Sequence, residues 1–219
     1  MRDYISVAYS NERTPPTKYP SELAFYLYDR FCMNSDMVLL DVGCGRGEYL
    51  NEFTKLGLAC SGVDISESML LNISHTDIST GEFQYPDNTF DIVFHKSLIE
   101  HLPDWKNLMK ETLRILKPGG RVIIMTPDWR SLMKVFYEDP THVHPYDTTA
   151  IRDLLDIYGF KSIESDLFYQ LPSAWRHNSI RAISRVLRTF LPVEIARATR
   201  IKFLRWSVEL MVLGSGVKP

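Results

Sequence analysis

The sequence is poor in cysteine: only Cys32, Cys44 and Cys60 occur in 219 residues. Three scattered thiols cannot build a disulfide framework or a zinc cluster, and they read as reduced side chains in a reducing compartment. Long apolar runs are lacking too. None reaches the roughly 18 residues of a membrane span, so no transmembrane segment is expected. The start, Met1-Arg2-Asp3-Tyr4, has neither the basic cluster nor the apolar stretch of a signal peptide, which makes the cytoplasm the expected location. Charge of one sign is scarce, with a net of −2 at pH 7, so nothing global points to nucleic acid or an acidic polymer. There is no internal repeat and no low-complexity tract. What is present is the composition of an ordinary globular chain, 45% apolar and 24% charged. The length suits one α/β domain over 1–219 and would cramp two.

Charge is nevertheless uneven. From Ser173 onward the basic residues are Arg176, Arg181, Arg185, Arg188, Arg197, Arg200, Lys202, Arg205 and Lys218, against the acids Glu194 and Glu209 alone. Before that point the chain is net acidic. Helical patterns alternate with short apolar strands. Ser21 reads as the cap of a helix to about Phe31. Strands are expected at Val38–Asp41, Ala59–Asp64, just before Asp77, Phe90–Phe94, Arg121–Met125, Phe160–Phe168 and Val208–Leu213. Helices are expected at Arg46–Leu56, Ser66–Leu71, Asp104–Leu116, stopped by Lys117-Pro118-Gly119-Gly120, and from Asp147 to Tyr158. This alternation argues for a doubly wound, mostly parallel sheet with helices on both faces, whose ligands sit at the carboxyl ends of the strands.

That rule directs attention to Val38-Leu39-Leu40-Asp41-Val42-Gly43-Cys44-Gly45-Arg46-Gly47-Glu48, a strand, a glycine loop and a helix start. Gly43 and Gly45 permit a tight turn and close approach of backbone to a ligand. Asp64 ends the second strand, where a carboxylate can accept hydrogen bonds from both ribose hydroxyls of an adenosine. The glycine spacing is Gly-x-Gly-x-Gly, not the Gly-x-Gly-x-x-Gly that cradles a dinucleotide pyrophosphate. A nucleoside cofactor without pyrophosphate, such as S-adenosylmethionine, fits the variant loop better.

Four stretches in order then carry a resemblance. Leu40-Asp41-Val42-Gly43-Cys44-Gly45-Arg46-Gly47, Gly62-Val63-Asp64-Ile65-Ser66, Phe90-Asp91-Ile92-Val93-Phe94 with Ile99-Glu100-His101-Leu102, and Leu116-Lys117-Pro118-Gly119-Gly120 resemble the motifs of class I S-adenosylmethionine-dependent methyltransferases of the small-molecule type. The resemblance runs from about Tyr19 to Phe160. It implies a Rossmann-like sheet of seven strands, the last antiparallel, with S-adenosylmethionine as cofactor. It also implies roles: Asp41, Gly43, Cys44 and Gly45 at the methionine part, Asp64 at the ribose, Ile65 on the adenine, Asp77 and Ile78 at the adenine amino group. His95 is expected to back the cofactor near its methyl, and Lys18 and Tyr19 to close over it.

Methyl transfer to an oxygen gains from a general base, most often histidine. His142 and His144, in the loop after strand five, alternate along an extended segment and are expected to face one site together, with His144 the first choice and His101 a further candidate. No complete ligand set with a defined spacing is present, so no metal is assigned. Between strand six and the tail strand, at about 173–205, lies an insertion read as two basic helices. A cover helix with a solvated charged face, a lid for an anionic acceptor, a membrane-surface contact and a homodimer contact are the readings left open for it. The expected acceptor is a small or carrier-linked polar molecule, sugar- or phosphate-linked ones included, methylated at oxygen. Base-amine enzymes of this fold carry Asn/Asp-Pro-Pro-aromatic after strand four, where this chain reads His95-Lys96-Ser97-Leu98, and no DNA partner is expected. The competing readings are an RNA or other macromolecule methyltransferase, a non-catalytic cofactor-binding subunit and a nicotinamide dehydrogenase.

Overall fold

The computed structural model describes residues 15–65 and 72–219. The helix expected over Ser66–Leu71 falls outside the described residues. Helix α1 spans Tyr19–Arg30. It opens before the expected Ser21 cap because Pro20, in its first turn, is preset for helix and lacks an N–H that would go unpaired there. Strand β1 is Val38–Val42, helix α2 Glu48–Lys55, β2 Ala59–Asp64 and β3 the short Ile73–His75. Strand β4 is Phe90–Lys96, α3 Lys106–Ile115 and β5 Leu116–Pro127. The Lys-Pro-Gly-Gly segment, expected as a helix stop, does end α3, but it also belongs to β5. Then come α4 Trp129–Leu132, α5 Thr148–Ile157 and β6 Lys161–Tyr169. Asp147 caps α5 as expected, its carboxylate accepting the Ala150 N–H at 2.9 Å.

The sheet runs β3-β2-β1-β4-β5-β7-β6, where β7 is Leu210–Val217. The first five strands are parallel, and β7 is antiparallel to both β5 and β6. The expected architecture is therefore present. Strand β7 extends past Leu213 through Gly214-Ser215-Gly216. A Cβ on Gly214 would overlap the Ile151 side chain, so the bare backbone lets α5 lie directly on the strand.

Successive strand residues point to opposite faces. In β4, Val93 belongs to the core under α3 and α5, and Phe94 to the core under α1 and α2. In β5, Val122 and Ile124 take the first face, Ile123 and Met125 the second. Between β6 and β7 the chain makes four short helices rather than two: α6 Pro172–Arg176, α7 Asn178–Phe190, α8 Val193–Ala198 and α9 Lys202–Val208. Pro192 separates α7 from α8, and Arg200, with φ of 56°, breaks the expected second helix in two.

Candidate functional site

At the carboxyl end of β1 the chain turns through Gly43 and Gly45, with φ of 74° and 50°, into α2. A Cβ on Gly43 would lie 2.9 Å from Leu98 Cδ1, and at this positive φ any side chain is strained, so the turn favours glycine there. Gly43 N–H donates to the Val63 carbonyl at 2.7 Å and Gly45 N–H to Asp64 Oδ2 at 2.8 Å. The carboxylate that ends β2 thus braces the loop that ends β1.

A cavity of about 300 Å³ opens against this loop. Asp41, Gly43, Cys44 and Gly45 form one wall, and Tyr19, Tyr49, Lys96 and Trp206 stand on the other sides. Asp41 is buried, and its Oδ2 has no hydrogen-bond partner among the described residues. Burial, and then the nearby Asp64 charge, push its carboxyl up to about 7. The Tyr19 hydroxyl is likewise buried and without a partner there, and burial raises its pKa. The Lys96 ammonium lies 5.3 Å from the Tyr49 ring centroid. Buried polar atoms left unpaired at a cavity wall are what a polar ligand satisfies. An adenosylmethionine-like molecule, with an ammonium and hydroxyl donors, matches that set.

Other expected cofactor residues are placed differently. Ile65 is 55% exposed, at the edge of the segment outside the described residues. The Asp77 carboxylate accepts from Ser79 N–H at 2.9 Å and Thr80 Oγ1 at 2.8 Å, and Ile78 is buried in the core. Lys18 is exposed and Tyr19, not Lys18, reaches the cavity. His95 does not back the cavity. It follows Phe94 in the pleat and so points to the α3 face, its Nε2 3.0 Å from Thr112 Oγ1, while Asp41 and Tyr49 lie toward α1 and α2. Burial there depresses its pKa to about 3, leaving a neutral imidazole.

A second cavity, of about 440 Å³, shares Ser97 and Gln170 with the first. His142, Arg197, Arg205 and Glu209 line it. Glu209 is buried and ion-paired to both arginines, Arg205 Nε at 2.7 Å, and Arg197 also pairs with Glu138. The insertion therefore brings its charges partly neutralised.

The histidine pair does not converge. Val143 N–H and His144 N–H both donate to the Glu100 carbonyl, at 2.8 and 3.2 Å, which bends the loop out of the expected extended form. His144 is half-buried, and its Nε2–H donates to the Pro103 carbonyl at 3.0 Å, so that nitrogen is spent. His142 instead turns toward His101, with ring centroids 4.8 Å apart. Ligand atoms of Glu100, His101 and His142 all lie within 4.8 Å of one another. The chain spacing contains no complete ligand set; the fold assembles three candidates.

Sequence reasoning missed Tyr49, Lys96, Ser97, Gln170 and Trp206. Lys96 ends β4 and Gln170 follows β6, where the carboxyl-end rule applies. Trp206 carries no comparable signal.

Residues 16–165 match the family described as a methyltransferase domain. Among relatives, the chain is 29% identical over 177 residues to an uncharacterised protein of Methanocaldococcus jannaschii, covering 77% of this chain and 74% of the relative. It is 34% identical over 103 residues to a ubiquinone biosynthesis O-methyltransferase of Coxiella burnetii, covering 40% of this chain and 42% of that enzyme. The fold is shared with the Haemonchus contortus phosphoethanolamine N-methyltransferase 2 solved with phosphomonomethylethanolamine and S-adenosylhomocysteine, at TM-score 0.65 and 21% identity over 90% of this chain and 52% of that one. The chain thus spans about half or less of these two enzymes. With the family match over most of the chain, the glycine turn and the adjoining carboxylates, this protein belongs to the class I S-adenosylmethionine-dependent methyltransferases.

Proposed function

We propose that the protein moves a methyl group from S-adenosylmethionine to a hydroxyl of a small or carrier-linked polar acceptor. The observation that carries this reading is the pair of adjoining cavities, glycine-walled on one side and walled by His142, Arg197 and Arg205 on the other, meeting at Ser97 and Gln170. Bound cofactor supplies an electrophilic methyl on a sulfonium, and an acceptor lone pair displaces the thioether. The protein's share is to bind, align and keep water out. Asp41 takes the cofactor ammonium, Gly43, Cys44 and Gly45 let it close on the backbone, and Asp64 holds the ribose while bracing Gly45. Ile65, Asp77 and Ile78 keep their assignment to the adenine side from family resemblance. Tyr19, Tyr49 and Trp206 wall the methyl-donor side. The Coxiella O-methyltransferase supports transfer to oxygen, and the Haemonchus N-methyltransferase makes an amine acceptor the outcome to separate from it. Among the described residues no helix is long and apolar enough to cross a membrane. The reading takes a cytoplasmic setting, supported by the three free thiols.

The test is turnover. Purified protein, S-adenosylmethionine and a panel of phenols, sugars and polyol phosphates should yield S-adenosylhomocysteine and an O-methylated product by mass spectrometry. Turnover of amines alone, with every hydroxyl acceptor inert, overturns the assignment to oxygen.

The cofactor half has its own signature. The Asp41 carboxyl titrates at about 7, and only its charged form pairs with an ammonium. The competent fraction therefore rises with pH. S-adenosylhomocysteine should bind about tenfold more tightly at pH 8 than at pH 6, in proportion to that fraction. Asp41→Asn should bind weakly and lose the slope. Calorimetry across this range checks it, and a flat wild-type profile counts against the ammonium pairing.

A further inference from the structure

The cluster of Glu100, His101 and His142 has a hydrogen-bond pattern that assigns its protons. Thr141 Oγ1 is 2.6 Å from Asp139 Oδ1, and only the hydroxyl can donate there. The same oxygen, 2.8 Å from His101 Nδ1, then accepts the Nδ1 proton. The lone pair of that ring is thereby on Nε2, the atom facing Glu100 Oε1 at 4.0 Å. His142 Nδ1–H donates to the Phe136 carbonyl at 2.7 Å, which puts its lone pair on Nε2 as well. Glu100 is fully buried. Its Oε2 accepts from Thr126 Oγ1 at 2.9 Å, and its Oε1 has no hydrogen-bond partner among the described residues. A buried carboxylate oxygen left unpaired is costly unless something cationic or a donor joins it. Outer partners on the far nitrogen are the usual means by which a protein orients metal-binding imidazoles.

We infer that Glu100 Oε1, His101 Nε2 and His142 Nε2 form a three-ligand site for a divalent transition-metal ion, whose open positions border the acceptor cavity. Two imidazoles and one carboxylate suit zinc, iron(II), cobalt(II) or manganese(II) better than magnesium or calcium, which prefer oxygen alone. Bound ligands sit at about 2.0–2.2 Å from such an ion, so binding draws the three atoms inward by roughly an ångström. His142 lines the acceptor cavity, so the ion meets whatever enters it. Resting on the O-methylation reading above, the ion's task is to bind the acceptor oxygen. The hydroxyl proton passes to solvent, the oxygen lone pair forms the new bond to the methyl carbon, and the sulfonium–methyl bond breaks with its electron pair left on sulfur. His142 acts in this scheme as a ligand, not as the base.

The experiment is a cobalt(II) titration of chelator-treated full-length protein, read by visible absorption and by calorimetry, with S-adenosylhomocysteine binding measured on the same sample. One ion per chain should bind, with cobalt d–d bands. Glu100→Gln and His142→Ala should each weaken binding at least a hundredfold, and Thr141→Val, which removes the outer partner of His101, about ten- to a hundredfold. His75→Ala, at the exposed end of β3, should bind as wild type does. Wild-type protein that binds S-adenosylhomocysteine but takes up no cobalt overturns the site, whatever the variants do. So does cobalt uptake that the ligand variants leave unchanged. Methyl transfer at full rate in metal-free protein removes the ion's role in the reaction. Metal uptake with no O-methylated product leaves the site standing and removes the O-methylation reading instead.

Discussion

Gly43→Val should lose cofactor binding, with S-adenosylhomocysteine affinity down at least a hundredfold. Two effects add. At φ of 74° a β-branched residue is strained by about 1–3 kcal/mol. Its Cβ would also sit 2.9 Å from Leu98 Cδ1, and its methyls would crowd Leu98 beneath the wall of the 300 Å³ cavity. The turn must then open, which pulls Gly45 N–H from Asp64 and disturbs both carboxylates at once. Gly119→Val is the matched control. Gly119 has φ of 80° but no heavy atom within 4 Å of its added Cβ, far from the cavity. It should cost stability through backbone strain and leave affinity unchanged. Equal affinities for Gly43→Val and wild type would remove the glycine turn from the binding surface.

Phe94→Ala should be among the most destabilising single changes in the core. Phe94 is wholly buried in β4, the strand between β1 and β5, with Phe53 and Tyr49 rings at 5.6 and 5.8 Å. Truncating such a ring costs about 3–5 kcal/mol, lost contacts and residual cavity together. For a chain of this size each kcal/mol lowers the melting temperature by roughly 2–4 °C, so a fall on the order of 10 °C is expected in a thermal melt. The change also reaches the site. Tyr49 rests on Phe94 and lines the cofactor cavity, so S-adenosylhomocysteine should bind more weakly even well below the melting point. Unaltered melting would mean that the α1–α2 layer repacks into the space. Unaltered affinity with lowered melting would separate core from site.

Much of the fold was legible because its signals are local. Apolar runs, a glycine loop after Val42, the Asp147 cap and the glycine after α5 each depend on a few neighbouring residues. Resemblance to a known family then implied seven strands with the last antiparallel. The errors came where distance in sequence mattered. His95 and Asp41 stand at the carboxyl ends of adjacent strands, but the pleat sends His95 to α3 and Asp41 to the cavity, a parity that motif matching does not track. His142 and His144 alternate correctly on paper. The Glu100 carbonyl bends their loop and sends them apart. The insertion also packs in a way its composition does not reveal: in α7, Ser184 is buried against Ser207 while Ile183 and Phe190 are exposed.

What the amino-acid order determined alone was the alternation of strands and helices, the side-chain-free turn beside a carboxylate and hence the class of cofactor. These follow from backbone torsion and periodicity, which a short stretch of chain settles for itself. Only the tertiary structure decided that Glu100, His101 and His142 meet, that Ser97 and Gln170 join two cavities, and that Glu209 pairs with both Arg197 and Arg205. Each of those depends on segments brought together by burial of apolar surface, and that force selects which faces touch without leaving a fixed spacing in the chain.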